Sequence, residues 1–338
     1  MRCDHPVPKG AVTRLRAVRS HGANSTMNAR VPLRMFVAID TSDVSRDVLR
    51  FVRDVAPIDS VVRVVNVAPG EASALLPGDA AIPVAEPSRN GRVRARRSRH
   101  DARDALADAA DFFANAGIRA DTQTIEMSWH DADIGHAIVA AAAAWHAELV
   151  VVGARQHRQW LRWLEASVSG ALTRLCPCPL MIVPHGWHGG EGDWPARMLF
   201  AVDSAEDARH CAMYGLRFAA PDSLLRAVCV AAPAPVWPVE HRAMGFDRGA
   251  KALAAARQVL ERASINVTTA TIGAAETSDD IARVLVREAA EWHADLLVMG
   301  MHSSQGLKRL VVGSVASQVA HLTRTPLLLV DVPDALDA

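Results

Sequence analysis

The sequence contains two copies of one pattern, and this internal repeat constrains the fold more than any other feature. The segment WHAELVVVG at 145–153 aligns with WHADLLVMG at 292–300, so Gly300 lies 147 positions after Gly153. A repeat of about domain length predicts two similar units placed one after the other. The chain has 338 residues, of which 50% are hydrophobic, and this is enough for two hydrophobic cores.

Each copy alternates short apolar runs with segments of helical periodicity. The run Val61–Val67 is rich in β-branched residues, as expected of a strand that is buried on both faces. Strands are predicted at 35–39, 61–67, 118–125, 149–152 and 180–183, and again at 199–202, 225–230, 265–272, 296–299 and 327–332. Helices are predicted between them, including one from Asp101 to Gly117, one at 134–145 and one from Ser167 to Cys176. This alternation predicts an α/β fold with two doubly wound, parallel, five-stranded sheets.

The segments outside the repeat define the domain boundaries. Residues 1–31 carry six Lys or Arg and one acid, and we interpret them as a flexible basic tail. The two domains are predicted at 32–185 and 196–334, with a Gly-rich linker at 186–195 between them. Residues 68–100 are predicted to be an insertion in the first copy. Its dense arginine run favours a solvated loop over a contact with nucleic acid or an acidic partner.

Charge and cysteine content exclude several classes of protein. The 37 basic and 37 acidic residues cancel, so no overall field attracts the chain to nucleic acid or to a membrane. No apolar run approaches the ~18 residues that a membrane-spanning helix needs. Five cysteines, an odd number without framework spacing, indicate a reducing compartment. We therefore expect a cytoplasmic location.

The segment from Leu296 to Ser314 has the pattern of a strand, a glycine-containing loop and the start of a helix. Apolar residues at Val315, Val319 and Leu322 recur with helical spacing after Gly313-Ser314. The first backbone N–H groups of such a helix have no partner within it, and the helix dipole favours an anion there. Glycine at 300 and 313 permits a positive φ or a close approach of a ligand to the backbone. We interpret this segment as a phosphate site.

An aspartate follows the first strand of each copy, at Asp40 and Asp203. The carboxyl ends of parallel strands form the edge where ligands of doubly wound sheets bind. The sequence has neither GxxxxGK[ST] nor GxGxxG after its first strand, which excludes the two most familiar nucleotide motifs.

The spacing from Gly300 through position 303 to Gly313-Ser314 resembles the G-x2-G-x9-G-[S/T] loop of the universal stress protein family. The strand end AVD at 201–203, the run ADLLVMG and the ending TPLLLV are similar to that family as well. The resemblance implies a tandem member of Rossmann-like, universal stress protein type, packed as a pseudo-dimer. It implies pairing of the last strands, 180–183 with 327–332, and leaves a further homodimer open.

The resemblance also implies a site for ATP, with or without Mg²⁺, in the second domain. Asp203 would face the ribose or adenine, and the backbone at Val230 and Met299 would line the adenine pocket. The phosphates would lie on the loop and helix start, formed by Gly300, Ser303, Gly313, Ser314 and Val315.

The first copy departs from the family pattern in its loop. Gln156 and Ala166 replace the second and third glycines, and two tryptophans, Trp160 and Trp163, lie between them. Position 303 of the second copy is serine where the family has glycine, which makes a positive φ more costly there. We therefore predict one nucleotide site, in the second domain, and a structural role for the first.

The remaining residues indicate no catalytic or metal centre. Cys176 and Cys178 have no further ligands at suitable spacing, and Cys211 and Cys229 are predicted to be buried small hydrophobes. No serine, histidine and acid are placed by spacing as a triad. We expect a stress-response protein that acts by nucleotide-dependent association and is not an enzyme. A scaffold that binds no nucleotide and a slow ATP hydrolase are the alternatives.

Overall fold

The computed structural model describes residues 32–69, 89–127, 134–154, 176, 178–189, 195–220, 222–231, 239–264, 266–274, 277–301 and 313–331. The predicted tail at 1–31, the loop and helix start of the first copy at 156–175, and Ser303 lie outside these residues. The strands are β1 (Arg34–Ile39), β2 (Val61–Pro69), β3 (Arg119–Met127), β4 (Leu149–Ala154), β5 (Leu180–Pro184), β6 (Arg197–Ala201), β7 (Leu224–Ala231), β8 (Val267–Ala274), β9 (Leu296–Gly300) and β10 (Leu327–Val330). Each overlaps a strand predicted from the sequence.

Seven helices connect these strands within the described part of the chain. They are α1 (Asp43–Val55), α2 (Arg89–Asn115), α3 (Ile134–Ala144), α4 (Ala205–Gly215), α5 (Val239–Leu260), α6 (Ser278–Glu291) and α7 (Ser314–Leu322). None of these helices is long and apolar enough to cross a membrane.

All ten strands form one sheet, in the order β3-β2-β1-β4-β5-β10-β9-β6-β7-β8. The first five strands are parallel to one another, and so are the last five. Each half has the doubly wound, Rossmann-like strand order, in which the chain runs outward from the first strand and then returns to its other side. The predicted fold class is confirmed.

The two halves are joined by an antiparallel pair of strands at the centre of the sheet. Leu180, Met181 and Ile182 of β5 pair with Leu329, Leu328 and Leu327 of β10. The side chains of both strands are buried. The expected pairing of the last strands is confirmed, and each half thereby covers the open edge of the other.

A hydrophobic core covers each face of the sheet, because successive side chains of a strand point to opposite faces. In β4, for example, Leu149 and Val151 belong to one core, and Val150 and Val152 belong to the other. Both cores contain residues from both halves of the chain. The continuous apolar runs of the sequence are therefore explained by burial on two sides.

The arginine run that we interpreted as a loop is helical from Arg89 onward, because α2 begins there. Arg96 and Arg97 are exposed, as predicted, whereas Arg99 is partly buried, and the prediction of a loop is wrong from Arg89 onward. Arginine and alanine favour a helix even where no apolar stripe reveals one. The helix buries Leu106 and Phe113, and the chain leaves it at Gly117, whose φ of 70° permits the reversal.

The first residues of the predicted linker pack against the first half. The backbone N–H of Gly186 donates to Oδ2 of Asp47 in α1 at 2.9 Å. The Trp187 ring contacts the Phe51 ring edge to face, with centroids 5.2 Å apart. The packing buries the large apolar ring of Trp187. A fully solvated linker would leave this ring exposed to water, which is unfavourable.

The repeat also appears at the amino edge of the sheet. The guanidinium groups of Arg34 and Arg63 lie 4.4 Å and 5.1 Å from the centre of the Trp145 ring, and two arginines surround Trp292 in the second half at 5.9 Å and 6.0 Å. Each tryptophan is followed by a histidine with left-handed backbone, with φ of 55° at His146 and 54° at His293. These contacts stabilise the edge opposite the predicted ligand site.

Candidate functional site

The described residues among those predicted for the site lie at the carboxyl edge of β6, β7 and β9. In β6, Ala201 pairs with Met299 of β9 on one side and with Val228 of β7 on the other. The pairing with β7 extends to Val202, whose N–H donates to the Val228 carbonyl at 2.9 Å. The next residue, Asp203, lies two positions beyond β6 and is therefore close to the end of β7. Because β6 lies between β7 and β9, this is the point where the strand order reverses.

Asp203 lies in a partly buried cluster of charged groups. Nε of Arg248, in α5, donates to the Asp203 carbonyl at 3.0 Å, and its Nη2 lies 3.6 Å from Oδ2 of the carboxylate. The neighbouring Asp207 is buried, and its carboxylate accepts a hydrogen bond from the Ser204 hydroxyl at 2.7 Å. Burial, with a contribution from Asp207, raises the pKa of Asp203 to about 6, although Arg248 opposes the change. Partial burial thus favours the neutral form of this carboxyl, although 52% of the side chain is exposed.

Arg248 is a candidate site residue that sequence reasoning missed. Within the described residues, its buried Nη2 atom has no hydrogen-bond partner. The adjacent Gly249 lets α5 approach β7, because a Cβ there would lie 3.1 Å from Sγ of Cys229. No spacing pattern links this arginine to Asp203, since they are 45 positions apart on different elements. The sequence did contain a signal for Asp207, because a serine three residues before an acidic residue is typical of the start of a helix.

The start of α7 lies beside the end of β9. The backbone N–H of Gly313 donates to the Met301 carbonyl at 3.1 Å, one residue beyond the strand. Gly313 is the N-cap residue and has no side chain to accept a hydrogen bond, and the first turn contains no acidic residue. In contrast, α4 and α6 begin with Ser204 and Thr277 as side-chain caps and have acids in their first turns. The dipole of a helix that begins in this way favours an anion at its start.

The explanation that Gly313 requires a positive φ is wrong. Its φ is −54° and its ψ is 138°, which any residue adopts, and Gly300 has no positive φ either. The other predicted reason for glycine here, a close approach of a ligand to the backbone, stays a prediction. Ser314 and Val315 occupy the first turn, where Ser314 is exposed and Val315 is partly buried.

Gly153 of the first half matches Gly300 of the second, and a side chain of the protein fills the space beside it. A Cβ on Gly153 would lie 2.5 Å from Cγ1 of Val44, which packs directly over the end of β4. Val44 occupies in α1 the position that Asp207 occupies in α4. Oδ1 of Asp40 accepts hydrogen bonds from the Ser42 N–H at 2.9 Å and the Ser45 hydroxyl at 2.8 Å. The aspartate of the first half thus stabilises its own helix start.

The predicted burial of Cys211 and Cys229 is confirmed. Cys176, Cys178, Cys211 and Cys229 are buried free thiols. In the described ranges, no group of three or more His, Cys, Asp or Glu residues is placed to hold a metal ion.

Comparison with known proteins identifies the fold of both halves. The model of the universal stress protein family matches residues 33–184 and again residues 196–331. A universal stress protein from Archaeoglobus fulgidus has a similar structure, with a TM-score of 0.61, 18% sequence identity, and coverage of 89% of this chain and 97% of that chain. A functionally unknown protein from Pseudomonas aeruginosa PAO1 is similar over 90% of this chain and 95% of its own, with a TM-score of 0.54 and 16% identity.

A universal stress protein family protein from Arabidopsis thaliana, whose structure has AMP bound, covers 45% of this chain and 92% of its own, with 13% identity and a TM-score of 0.30. A search of curated proteins found no match. Two successive matches to one family model span most of the sequence, in agreement with the internal repeat. The chain belongs to the universal stress protein family, as a tandem member.

Proposed function

We propose that the second half binds an adenine nucleotide, ATP with or without Mg²⁺, at the carboxyl edge of β6, β7 and β9. The observation that carries this proposal is the start of α7, which lies beside β9 with no side-chain cap and no acid in its first turn. A helix start of this kind favours a phosphate group over a neutral ligand. Its place at the reversal of strand order is the usual ligand position in such sheets.

Each predicted residue has a defined part in this proposal. Backbone N–H groups at Gly313, Ser314 and Val315 would donate to the phosphates, and the Ser314 hydroxyl would add one further donor. Gly300 and Ser303 would leave room for the phosphates beside the strand end.

The other end of the nucleotide would lie over β6 and β7. The ionised Asp203 would accept hydrogen bonds from ribose hydroxyls, and the backbone at Val230 and Met299 would line the adenine ring. Arg248 extends the sequence-based set. Its Nη2 atom lies 3.6 Å from the Asp203 carboxylate and has no hydrogen-bond partner among the described residues, so it would donate to an anionic oxygen of the ligand.

The first half would support this site without binding nucleotide itself. Val44 covers the end of β4 at Gly153, and Asp40 is engaged by the start of α1. A phosphate at that position would have to displace an apolar side chain. These contacts also favour a second candidate function, a scaffold whose two halves present surfaces to partners and in which neither half binds nucleotide.

We propose further that ATP binding controls association with partners, including a second copy of the chain, and that turnover is not the function. Asp203 and Asp207 each have a partner within the fold, since Arg248 lies beside the first and Ser204 donates to the second, and this favours a binding role over a catalytic one. A cytoplasmic location follows from the cysteine content and is part of the same proposal.

Isothermal titration calorimetry with ATP, with and without Mg²⁺, tests the nucleotide site. We expect one site per chain, and we expect the double variant Gly313→Val with Ser314→Ala to abolish binding. The matched control is Ala166→Val with Ser167→Ala at the corresponding positions of the first copy, which we expect to bind normally. Absence of binding at millimolar ATP, or equal binding by both variants, contradicts the proposal. Release of phosphate over many turnovers would contradict a function without catalysis.

A further inference from the structure

Cys176 and Cys178 lie in contact just before β5, the strand that joins the two halves. Their Sγ atoms are 4.0 Å apart, and the residues expose only 7% and 6% of their surfaces. Both are free thiols. Leu180 of β5, two residues further on, already pairs with Leu329 of β10. The thiol pair is therefore placed at the start of the contact between the halves.

The second repeat shows that the turn itself does not require cysteine. Thr323 and Thr325 occupy the matching positions, 147 residues later. The Thr323 hydroxyl donates to the Thr325 carbonyl and accepts from the Thr325 N–H, both at 3.0 Å. This polar turn leads into β10 as the cysteine pair leads into β5. Because threonines satisfy the same backbone, the two thiols are not explained by the fold.

The two thiols differ in their environments. The hydrogen bond with Cys178 lowers the pKa of Cys176, although burial opposes this effect. The same hydrogen bond, together with burial, raises the pKa of Cys178. We therefore assign the first reaction to Cys176, since the thiolate is the reactive form of cysteine. Cys178 is the thiol placed to react with whatever forms on Cys176.

We propose that Cys176 and Cys178 are a reversible redox pair that a peroxide converts to an intrachain disulfide. The Cys176 thiolate attacks one peroxide oxygen, the O–O bond breaks, and the other oxygen leaves as hydroxide and takes up a proton. The Cys178 sulfur then attacks the Cys176 sulfenic acid, the S–S bond forms, and the oxygen leaves as a second water. Two thiols lose two electrons, and one peroxide becomes two waters.

The burial of the two thiols suits a small oxidant, and the short distance between their sulfur atoms requires only a local movement to form the bond. The sulfur atoms must approach from 4.0 Å to about 2.0 Å, the length of a disulfide bond. Hydrogen peroxide is small enough to reach thiols that are almost covered, whereas a bulky disulfide is not. The reaction needs no nucleotide, so this inference is independent of the ATP site.

The test is to treat the full-length protein with hydrogen peroxide, denature it and count the remaining thiols by alkylation. We expect two of the five thiols to be lost, a disulfide between Cys176 and Cys178 in the peptide map, and recovery of both thiols with dithiothreitol. The variant Cys176→Thr with Cys178→Thr copies the second repeat, and we expect it to keep its three remaining thiols. The control Cys211→Ala with Cys229→Ala should lose two, as the natural sequence does.

Five intact thiols after peroxide treatment overturn the inference. A disulfide between two chains, or a sulfinic acid on either cysteine without a disulfide, also overturns it. If the threonine variant fails to fold, the peptide maps of the natural sequence and of the Cys211→Ala, Cys229→Ala control still decide between these results.

Discussion

The substitution Asp203→Asn tests whether the proposed ligand site is maintained at a cost to the stability of the fold. Burial and Asp207 raise the pKa of Asp203 from 3.8 to about 6, and Arg248 offsets only part of this. The folded chain thus binds a proton more readily than the unfolded chain, so the ionised carboxylate destabilises the fold at neutral pH. An amide of the same shape removes that charge. We expect the variant to be more stable and to bind ATP more weakly.

The magnitude follows from the size of the pKa change and the exposure of the group. A pKa difference of this size corresponds to ~3 kcal/mol for a fully shielded group. About half of the Asp203 side chain is exposed, at 52%, so solvent screens much of this energy. We therefore expect the free energy of unfolding of the variant at neutral pH to be higher by about 1 kcal/mol.

The difference between the two proteins must depend on pH in one direction. Below pH 3.8, the ordinary pKa, Asp203 is protonated in both the folded and the unfolded chain, and the preference of the folded chain for the proton contributes fully to stability. This contribution is lost as the pH rises through about 6, the pKa of Asp203 in the folded chain. The stability gap between the Asn variant and the natural sequence should thus be largest at neutral pH and close as the pH falls. Urea unfolding followed by circular dichroism at several pH values measures it.

The first repeat supplies a matched control in Asp40→Asn. There the carboxylate accepts hydrogen bonds from the Ser42 N–H and the Ser45 hydroxyl, and an amide oxygen accepts them less strongly. We expect this variant to be less stable than the natural sequence, with unchanged ATP binding. If Asp203→Asn is also destabilising at neutral pH, or if its effect is the same at every pH, the description of the Asp203 environment is wrong.

Three further substitutions test separate parts of the structure. Gly153→Ala places a Cβ 2.5 Å from Cγ1 of Val44, and we expect urea unfolding to show a loss of ~1–3 kcal/mol while calorimetry shows unchanged ATP binding. His293→Gly relieves a left-handed φ of 54° and should raise the free energy of unfolding by up to about 1 kcal/mol; no gain in denaturant midpoint would contradict this. Arg248→Gln removes the cation that lowers the pKa of Asp203, so the midpoint in the pH dependence of unfolding should move above 6.

The sequence predicts the strands of this fold well because burial on two faces leaves a strong signal. Runs such as Leu149–Val152 and Leu327–Val330 are apolar throughout. Short apolar runs separated by helical segments are typical of strands buried on both faces. The start of α2 at Arg89 is harder to predict, since its first turns are polar and show no periodic apolar stripe. Helix starts of this kind depend on propensity and on tertiary contacts.

The candidate site was predictable where a motif in one segment defines it. Gly313 and Asp203 both follow from strand ends and lie at the same edge of the sheet. The contribution of Arg248 depends on how closely α5 packs on β7, and no sequence spacing encodes that distance. The packing of Val44 over Gly153 is of the same kind, because it is a contact between elements that are distant in the sequence.

The antiparallel pairing of β5 with β10 has a consequence for how the two halves can diverge. In a dimer of identical chains, every substitution appears in both subunits, so one ligand site cannot be lost while its twin is kept. A single polypeptide removes this restriction, because Val44 and Asp207 at matching positions are encoded separately. The link also keeps the two halves together at any dilution. One half is thereby free to specialise as support for the other.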